Sequence, residues 1–154
     1  KVNERKRRMP DAFIGVDLIT GMRGETPEIF EDSRAFVESL DITRLHVFSY
    51  SERPDTMALK IPYVVPASTK HSRTRRMMAL SDKKLASFTA RYLGTTRKVL
   101  LEHAVDADGL MKGFTDNYLR VAVPAINDLA NCIVDVRLIE PLGHDDLIKG
   151  EIIR

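Results

Sequence analysis

The chain has little cysteine and no long hydrophobic segment. Its single cysteine, Cys132, excludes a disulfide within these 154 residues and any metal site made of several cysteines of this chain. No run of about 18 apolar residues occurs, which excludes a transmembrane helix. The basic start lacks the apolar core of a signal peptide. The single cysteine fits a reducing compartment, and we expect a cytoplasmic protein. The first residue is not methionine, so we expect the chain to be part of something longer.

Charge is strongly segregated along the chain, although the net charge is only +2. Residues 66–98 carry nine basic side chains and one acidic side chain, whereas residues 9–65 and residues 99–154 each carry five basic and ten acidic side chains. A basic block of this kind is typical of a surface that binds a polyanion. The alternative is a solvated helix with an excess of lysine and arginine.

The first 65 residues follow a strand–helix–strand pattern. The apolar run at residues 12–20 predicts a strand that is buried on both faces. Thr26 and Pro27 are typical of a helix start, and residues 45–50 predict a second strand. This is a βαβ unit with parallel strands, preceded at residues 1–8 by the tail of a helix. Two strands cannot bury both faces, so we expect a piece of a larger α/β barrel or sheet.

The remainder predicts a long helix and then a small β-domain. Residues 52–66 contain three prolines and predict an extended linker. Residues 67–93 predict a helix with an apolar stripe, and beside it a basic stripe that we expect to face a partner: Arg73, Arg76, Lys83, Lys84 and Arg91. Five short strands then predict a β-barrel of the oligonucleotide-binding type: Thr96–Glu102, Leu110–Thr115, Tyr118–Val123, Cys132–Leu138 and Leu147–Ile153.

Polar residues follow both strands of the βαβ unit. Gly21-Met-Arg-Gly24-Glu25 follows the first strand and Ser49–Thr56 follows the second, so both lie at the carboxyl edge, where ligands bind to parallel sheets. Glu25 would repel a phosphate and suits a ligand with hydroxyl groups and positive charge, such as S-adenosylmethionine (SAM). Alternatively, the glycines only form the turn, and the second segment is only a polar strand exit.

Several segments carry a resemblance in the same order along the chain. Val16–Thr26 resembles the late-barrel strand and turn of radical SAM methylthiotransferases, and Phe48–Ala58 resembles the following strand and its exit. Val99–Glu102, Gly113–Val121 and Gly150–Ile152 are similar to segments of the terminal TRAM domain of that family. The resemblance is closest to the branch that modifies N6-threonylcarbamoyladenosine. The isopentenyladenosine branch is the close alternative, and the branch that modifies a ribosomal protein fits less well.

The resemblance implies a fold class of α/β plus all-β. Residues 1–65 would be the C-terminal part of a radical SAM partial TIM barrel, residues 66–93 a basic helical linker, and residues 94–154 a TRAM-type antiparallel β-barrel. The implied enzyme adds a methylthio group to C2 of N6-modified adenosine at tRNA position 37, using SAM and two 4Fe–4S clusters. The cluster ligands would lie outside this chain, which we therefore expect to be inactive alone. We expect a monomer that binds the tRNA anticodon stem-loop.

The resemblance also implies site residues. For the rim of the SAM pocket they are Asp17, Gly21, Glu25, Ser51 and Arg53. For RNA binding they are Arg73, Arg76, Lys83, Lys84, Arg91, Phe114, Tyr118 and Arg120. Phe114 and Tyr118 could stack on unpaired bases, or one of them could instead plug the barrel. The four histidines show no metal-ligand spacing, and we assign no metal ligand and no catalytic residue.

The chain departs from the family pattern at three positions. Arg23 stands where proline is usual, and Asp55 stands where glycine is common. Phe114 replaces a frequent arginine, which removes a phosphate contact and supplies a stacking surface. Two other functions stay open at this point: a stand-alone RNA-binding module, and an interaction domain whose basic helix binds an acidic protein.

Overall fold

A computed structural model describes residues 1–106, 108–126 and 129–153, without the side chains of His103 and Ala104. The chain forms two compact units, one of residues Lys1–Ser87 and the other from Phe88 to the end of the chain. We call them the first unit and the second unit. Within the described residues, no helix has the length and apolar character needed to cross a membrane.

The first unit contains the predicted strand–helix–strand arrangement. Its elements are α1 (Val2–Arg8), β1 (Gly15–Thr20), α2 (Pro27–Ser39), β2 (Arg44–Ser49), a 3₁₀ turn at Met57–Lys60, and α3 (Ala67–Ala90), which belongs to this unit through Ser87. β1 and β2 pair in parallel, with Gly15 opposite Arg44 and Thr20 opposite Ser49. The prediction of a parallel βαβ unit is confirmed.

Local signals determine where α2 begins. The Thr26 side chain accepts a hydrogen bond from the Ile29 N–H at 3.3 Å, and Pro27 takes the first helical position. One face of α2 packs into a core with the sheet and α3, formed by Phe30, Val37, Ile42, Leu45, Met77 and Leu80. Ile29 and Phe36 are 50% and 64% exposed. Their helical spacing with Phe30 and Val37 predicts that they are buried, and this is wrong because the core contacts only one face of the helix.

The two-stranded sheet is covered on one face only. Leu18 and Thr20 of β1 point toward the helices, and Thr20 is fully buried. The alternate residues point away, where Ile19 and Phe48 lie opposite each other and are 52% and 55% exposed. Within the described residues the sheet therefore has one open face, since α2 and α3 pack against the same side, as expected for two strands of a larger barrel or sheet.

The second unit is a closed five-stranded barrel, as predicted. Its strands are β3 (Thr96–Val105), β4 (Leu110–Thr115), β5 (Arg120–Pro124), β6 (Ile133–Pro141) and β7 (Leu147–Ile152), in the order β3-β4-β5-β7-β6. The predicted barrel was purely antiparallel, whereas β5 and β7 pair in parallel. This follows from the order, because β6 runs antiparallel to β3 and β7 runs antiparallel to β6, which aligns β7 with β5.

The barrel interior is filled by branched side chains. Val99, Val121, Val123 and Val136 are all fully buried. An added Cβ at Gly150 would lie 2.5 Å from Cγ1 of Val136 and 2.7 Å from Cγ1 of Val121. Position 150 therefore requires glycine because the opposing valines leave no room for a side chain.

Candidate functional site

The turn after β1 is held by a buried ion pair. Oε2 of Glu25 accepts a hydrogen bond from the Gly21 N–H at 2.8 Å. Nη1 of Arg73 lies 2.6 Å from the same oxygen and donates to the Glu25 carbonyl oxygen, also at 2.6 Å. The side chains of Arg73 and Glu25 are 4% and 14% exposed. The Glu25 carboxylate is therefore engaged by groups of this chain.

The start of α3 packs on the turns after both strands. Gly21 has φ +78°, and an added Cβ there would lie 2.6 Å from Cγ of Lys70. Nζ of Lys70 donates to the Tyr50 carbonyl oxygen at 3.3 Å, which lies just after β2. The hydroxyl oxygens of Thr74 and Thr20 are 2.9 Å apart. Gly21 is thus required both by its backbone conformation and by the side chain that lies against it.

The structure divides the five predicted SAM residues into two groups. Gly21 and Glu25 are joined to each other and to α3, so they shape the turn. Asp17 is exposed on the open face of β1, and Ser51 and Arg53 are exposed after β2. Glu25 was predicted to contact a ligand. Its observed partner is Arg73, which lies 48 residues away in the sequence, so no local pattern indicates the contact.

The open face of the sheet has a composition that fits SAM. The exposed pair of Ile19 and Phe48 can contact an adenine ring, and the carboxylate of Asp17 can accept hydrogen bonds from ribose hydroxyls. Ser51 and Arg53, which are exposed after the end of β2, supply a hydroxyl and a guanidinium. Among the described residues, no group of three or more His, Cys, Asp or Glu side chains could hold a metal ion.

The barrel carries exposed aromatic and aliphatic side chains on neighbouring strands. The ring centroids of Phe114 and Tyr118 are 5.1 Å apart, with 33° between the ring planes. Phe114 lies opposite Arg120 of β5 and opposite Leu100 of β3, and Leu100 lies opposite Ile133 of β6. Leu100, Tyr118 and Ile133 are 49%, 66% and 66% exposed. We call these five residues the outer patch.

The outer patch is fixed by strand alternation and by a tight turn. Gly113 and Thr115 on either side of Phe114 are buried, so Phe114 points out of the barrel and does not plug it. Tyr118 has φ +66° and donates its N–H to the Thr115 carbonyl oxygen at 3.0 Å. The Thr115 hydroxyl donates to Oδ1 of Asn117 at 2.7 Å. The sequence predicted Phe114, Tyr118 and Arg120, but not the neighbouring Leu100 and Ile133.

The chain is similar in sequence to three kinds of methylthiotransferase. No family model matches it. It is 29% identical to the threonylcarbamoyladenosine tRNA methylthiotransferase MtaB of Bacillus subtilis, over 91% of the chain and 32% of that protein. It is 30% identical to a tRNA-2-methylthio-N(6)-dimethylallyladenosine synthase of Caldicellulosiruptor saccharolyticus, over 99% of the chain and 32% of that protein. It is also 30% identical to the ribosomal protein uS12 methylthiotransferase RimO of Alkaliphilus oremlandii, over 94% of the chain and 34% of that protein.

The chain belongs to the methylthiotransferase family. It spans about a third of the length of the curated relatives it matches.

One departure of this methylthiotransferase chain from its family pattern has a structural role. Nε of Arg23 lies 2.7 Å from Oε1 of Glu52, and its Nη1 donates to the Leu59 and Ile61 carbonyl oxygens at 2.9 and 3.2 Å. The hydrogen bond from Arg23 lowers the pKa of Glu52. Arg23 therefore joins the turn after β1 to the segment after β2, a connection that proline could not make.

Three residues of the basic stripe of α3 contact α2. Nη1 of Arg76 lies 2.6 Å from Oε1 of Glu31, and Nζ of Lys83 lies 3.4 Å from Oε1 of Glu38. Nζ of Lys84 donates to the carbonyl oxygens of Glu38 and Leu40 at 2.9 and 2.7 Å, and burial lowers its pKa.

The prediction that this stripe is free to face a partner is wrong for the buried Arg73 and for Lys84, whose ammonium bonds to α2. The side chains of Arg76 and Lys83 remain 46% and 73% exposed while they pair with α2. The charge pattern along the sequence does not indicate that the acidic residues of α2 lie next to the basic residues of α3. Arg91 is exposed and lies in the second unit, beyond the segment of α3 that packs on α2.

Proposed function

We propose that this chain is part of a cytoplasmic enzyme that adds a methylthio group to C2 of N6-threonylcarbamoyladenosine at tRNA position 37. In this proposal the first unit supplies one wall of the SAM site, and the second unit binds the anticodon stem-loop. The outer patch carries the proposal, because it places two adjacent aromatic rings beside a guanidinium on a small barrel in a methylthiotransferase chain. The similarity to MtaB, named for threonylcarbamoyladenosine tRNA, supports this choice of nucleoside.

For the cofactor, we propose that Asp17, Ser51 and Arg53 contact SAM directly. The exposed Asp17 carboxylate would accept hydrogen bonds from the ribose, and Arg53 would attract the methionine carboxylate. Gly21 and Glu25 keep their place in the proposal as residues that shape the turn. When bound, SAM together with two 4Fe–4S clusters held outside this chain supplies the radical and methyl-transfer chemistry.

For RNA, we propose that Phe114 and Tyr118 stack on unpaired bases and that Arg120 contacts phosphate. Stacking of bases on aromatic side chains is the usual means by which small barrels bind single-stranded RNA. From the predicted basic set, we keep Arg91 as a further proposed RNA contact. Arg76, Lys83 and Lys84 are assigned instead to the α2 contact, and Arg73 to the turn after β1.

The isopentenyladenosine-specific enzyme is the alternative with a specific observation in its favour. A tRNA-2-methylthio-N(6)-dimethylallyladenosine synthase of Methylobacillus flagellatus is 32% identical to this chain, over 99% of it and 34% of that protein. The two nucleosides are distinguished by supplying the full-length enzyme with tRNA that carries one or the other and identifying the product by mass spectrometry. Methylthiolation of isopentenyladenosine alone would replace the first proposal with the second.

RNA binding is tested on the 154-residue chain itself. A labelled anticodon stem-loop is titrated at low salt, and fluorescence anisotropy reports its affinity. We expect Phe114→Ala and Tyr118→Ala each to weaken binding about tenfold, since a base stacked on an aromatic ring contributes roughly 1–3 kcal/mol. Phe36→Ala is the control, because Phe36 is 64% exposed, close to the 66% of Tyr118, but lies on α2. No binding at low salt, or equal losses in all three variants, would contradict the proposal and favour a protein-binding role.

A further inference from the structure

We propose that Arg73 is a positioning residue for the SAM site, acting through Glu25 on the backbone of Gly21. The inference rests on the proposed function in one respect, namely that SAM binds at the carboxyl edge of β1 and β2. It adds that the helix following the sheet, and not only the turns themselves, determines the shape of that edge.

The first step is the burial of Arg73. Its side chain is 4% exposed, and its guanidinium carbon lies 5.1 Å from the ring centroid of Phe30, which is itself buried. A buried guanidinium is costly unless it is paired and hydrogen-bonded. Its carboxylate partner is Glu25, which accepts from it through both a side-chain oxygen and the carbonyl oxygen. This geometry fixes both the carboxylate and the backbone of residue 25.

The second step is the path from Glu25 to Gly21. The oxygen that contacts Arg73 is also the acceptor for the Gly21 N–H. That hydrogen bond closes the turn between the end of β1 and the start of α2, and it holds Gly21 at φ +78°. A guanidinium that orients the carboxylate therefore also orients the turn. Without it, the carboxylate would be drawn toward solvent, and the Gly21 N–H would lose its acceptor.

The third step is that neighbouring residues of α3 contact the same edge. Lys70, Arg73 and Thr74 occupy positions i, i+3 and i+4 and thus lie on one face of the helix. Lys70 lies against Gly21 and bonds to the Tyr50 carbonyl oxygen, and Thr74 lies against Thr20. Arg73 is the charged member in the middle of this face. The first two turns of α3 thus act as one rigid support for the turns after β1 and β2.

Hydrogen exchange in the 154-residue chain tests the link from Arg73 to Gly21. We expect Arg73→Met to raise the exchange rate of the Gly21 amide at least tenfold, while the paired amides of β1 and β2 keep their rates. Arg73→Lys should restore part of the protection, because lysine keeps the charge but lacks the planar guanidinium that lies over the Phe30 ring. Arg75→Met is the matched control, since Arg75 is exposed on the same helix. An unchanged Gly21 rate in Arg73→Met would overturn the inference.

Kinetics in the full-length enzyme test the link from this turn to SAM. We expect Arg73→Met to raise KM for SAM at least fivefold with kcat within twofold, and Arg73→Lys to fall between this variant and the unaltered enzyme. A faster Gly21 exchange with an unchanged KM would overturn the positioning role and leave the proposed function intact. An unaltered enzyme that neither binds SAM nor methylthiolates tRNA would instead overturn the proposed function, and with it the inference about SAM.

Discussion

Nη1 of Arg76 lies 2.6 Å from Oε1 of Glu31, and this contact joins α3 to α2. Glu31 also bonds to Arg34 on its own helix at 3.1 Å. The hydrogen bonds from Arg76 and then from Arg34 lower the pKa of Glu31 from its usual 4.5 to about 2. One carboxylate thus lies between two guanidinium groups at the interface of the two helices.

This arrangement predicts acid sensitivity in the first unit. A carboxyl group whose pKa is lower in the folded state contributes stability above its unfolded pKa, and that contribution is lost as the pH falls. We therefore expect Glu31 to make its full contribution to the free energy of unfolding above pH 4.5. That contribution should disappear between pH 4.5 and about 2. Urea unfolding of the chain across this range measures it. Glu31→Gln should reduce the pH dependence of the free energy of unfolding, whereas Asp32→Asn should leave it unchanged. An unchanged pH dependence in Glu31→Gln would show that Glu31 is not its source.

Lys84 should stabilise the end of α2. Its ammonium donates to two carbonyl oxygens at that end, those of Glu38 and Leu40. A cation at a helix C-terminus that also satisfies carbonyl groups contributes about 1 kcal/mol. Lys84→Met should lower the free energy of unfolding by about that amount. Lys83→Met provides the comparison, because Lys83 is 73% exposed and an exposed ion pair contributes less than about 0.5 kcal/mol. Equal losses would show that the carbonyl contacts are unimportant.

The barrel should not tolerate a side chain at position 150. Gly150→Ala would place a Cβ within 3.0 Å of three valine side chains, and overpacking of this kind costs about 3 kcal/mol. Thermal unfolding of the second unit measures the effect. Gly15→Ala is the control, since its Cβ would meet nothing nearer than 3.8 Å. A melting temperature unchanged by Gly150→Ala would mean that the valines move apart easily.

The affinity for RNA should contain one contribution that depends on salt, from Arg120, and one that does not, from Phe114. Arg120→Gln should reduce the slope of log affinity against log salt by about one, because one phosphate contact is lost. Phe114→Ala should weaken binding at every salt concentration and leave the slope unchanged, since stacking releases no counterions. Anisotropy titrations between low and moderate salt distinguish the two variants. A slope that changes equally in both variants would contradict the division between a phosphate contact at Arg120 and stacking at Phe114.

Elements set by neighbouring residues were predictable from the sequence. Thr26 and Pro27 marked the start of α2, and the bounds Leu110–Thr115 predicted for β4 are those observed. In each case the signal lies within a few residues, as a cap, a turn or an alternating pattern. The prediction of a closed barrel is also confirmed, although the parallel pairing of β5 with β7 depends on strand order and has no local signal.

Interactions between distant residues were not predictable in the same way. Glu25 was interpreted as a ligand contact from its sequence neighbours, and no residue near it in the sequence indicates a contact with Arg73. The basic residues of α3 were interpreted as a surface because their charges were compared only with their sequence neighbours. Glu31 and Glu38, 45 residues before Arg76 and Lys83, are the groups that neutralise them. A pattern of charge along a chain does not specify which helix faces which.

The valine-filled interior of the barrel limits how the second unit can meet RNA. An interior with no room for one methyl group at position 150 has no room for a base, so a base can contact only the outside of the barrel. A base must leave its own helix before it can lie flat on Phe114 or Tyr118. We therefore expect this unit to favour loops that open easily and to be tolerant of the bases they contain, which leaves the choice of nucleoside to the rest of the enzyme.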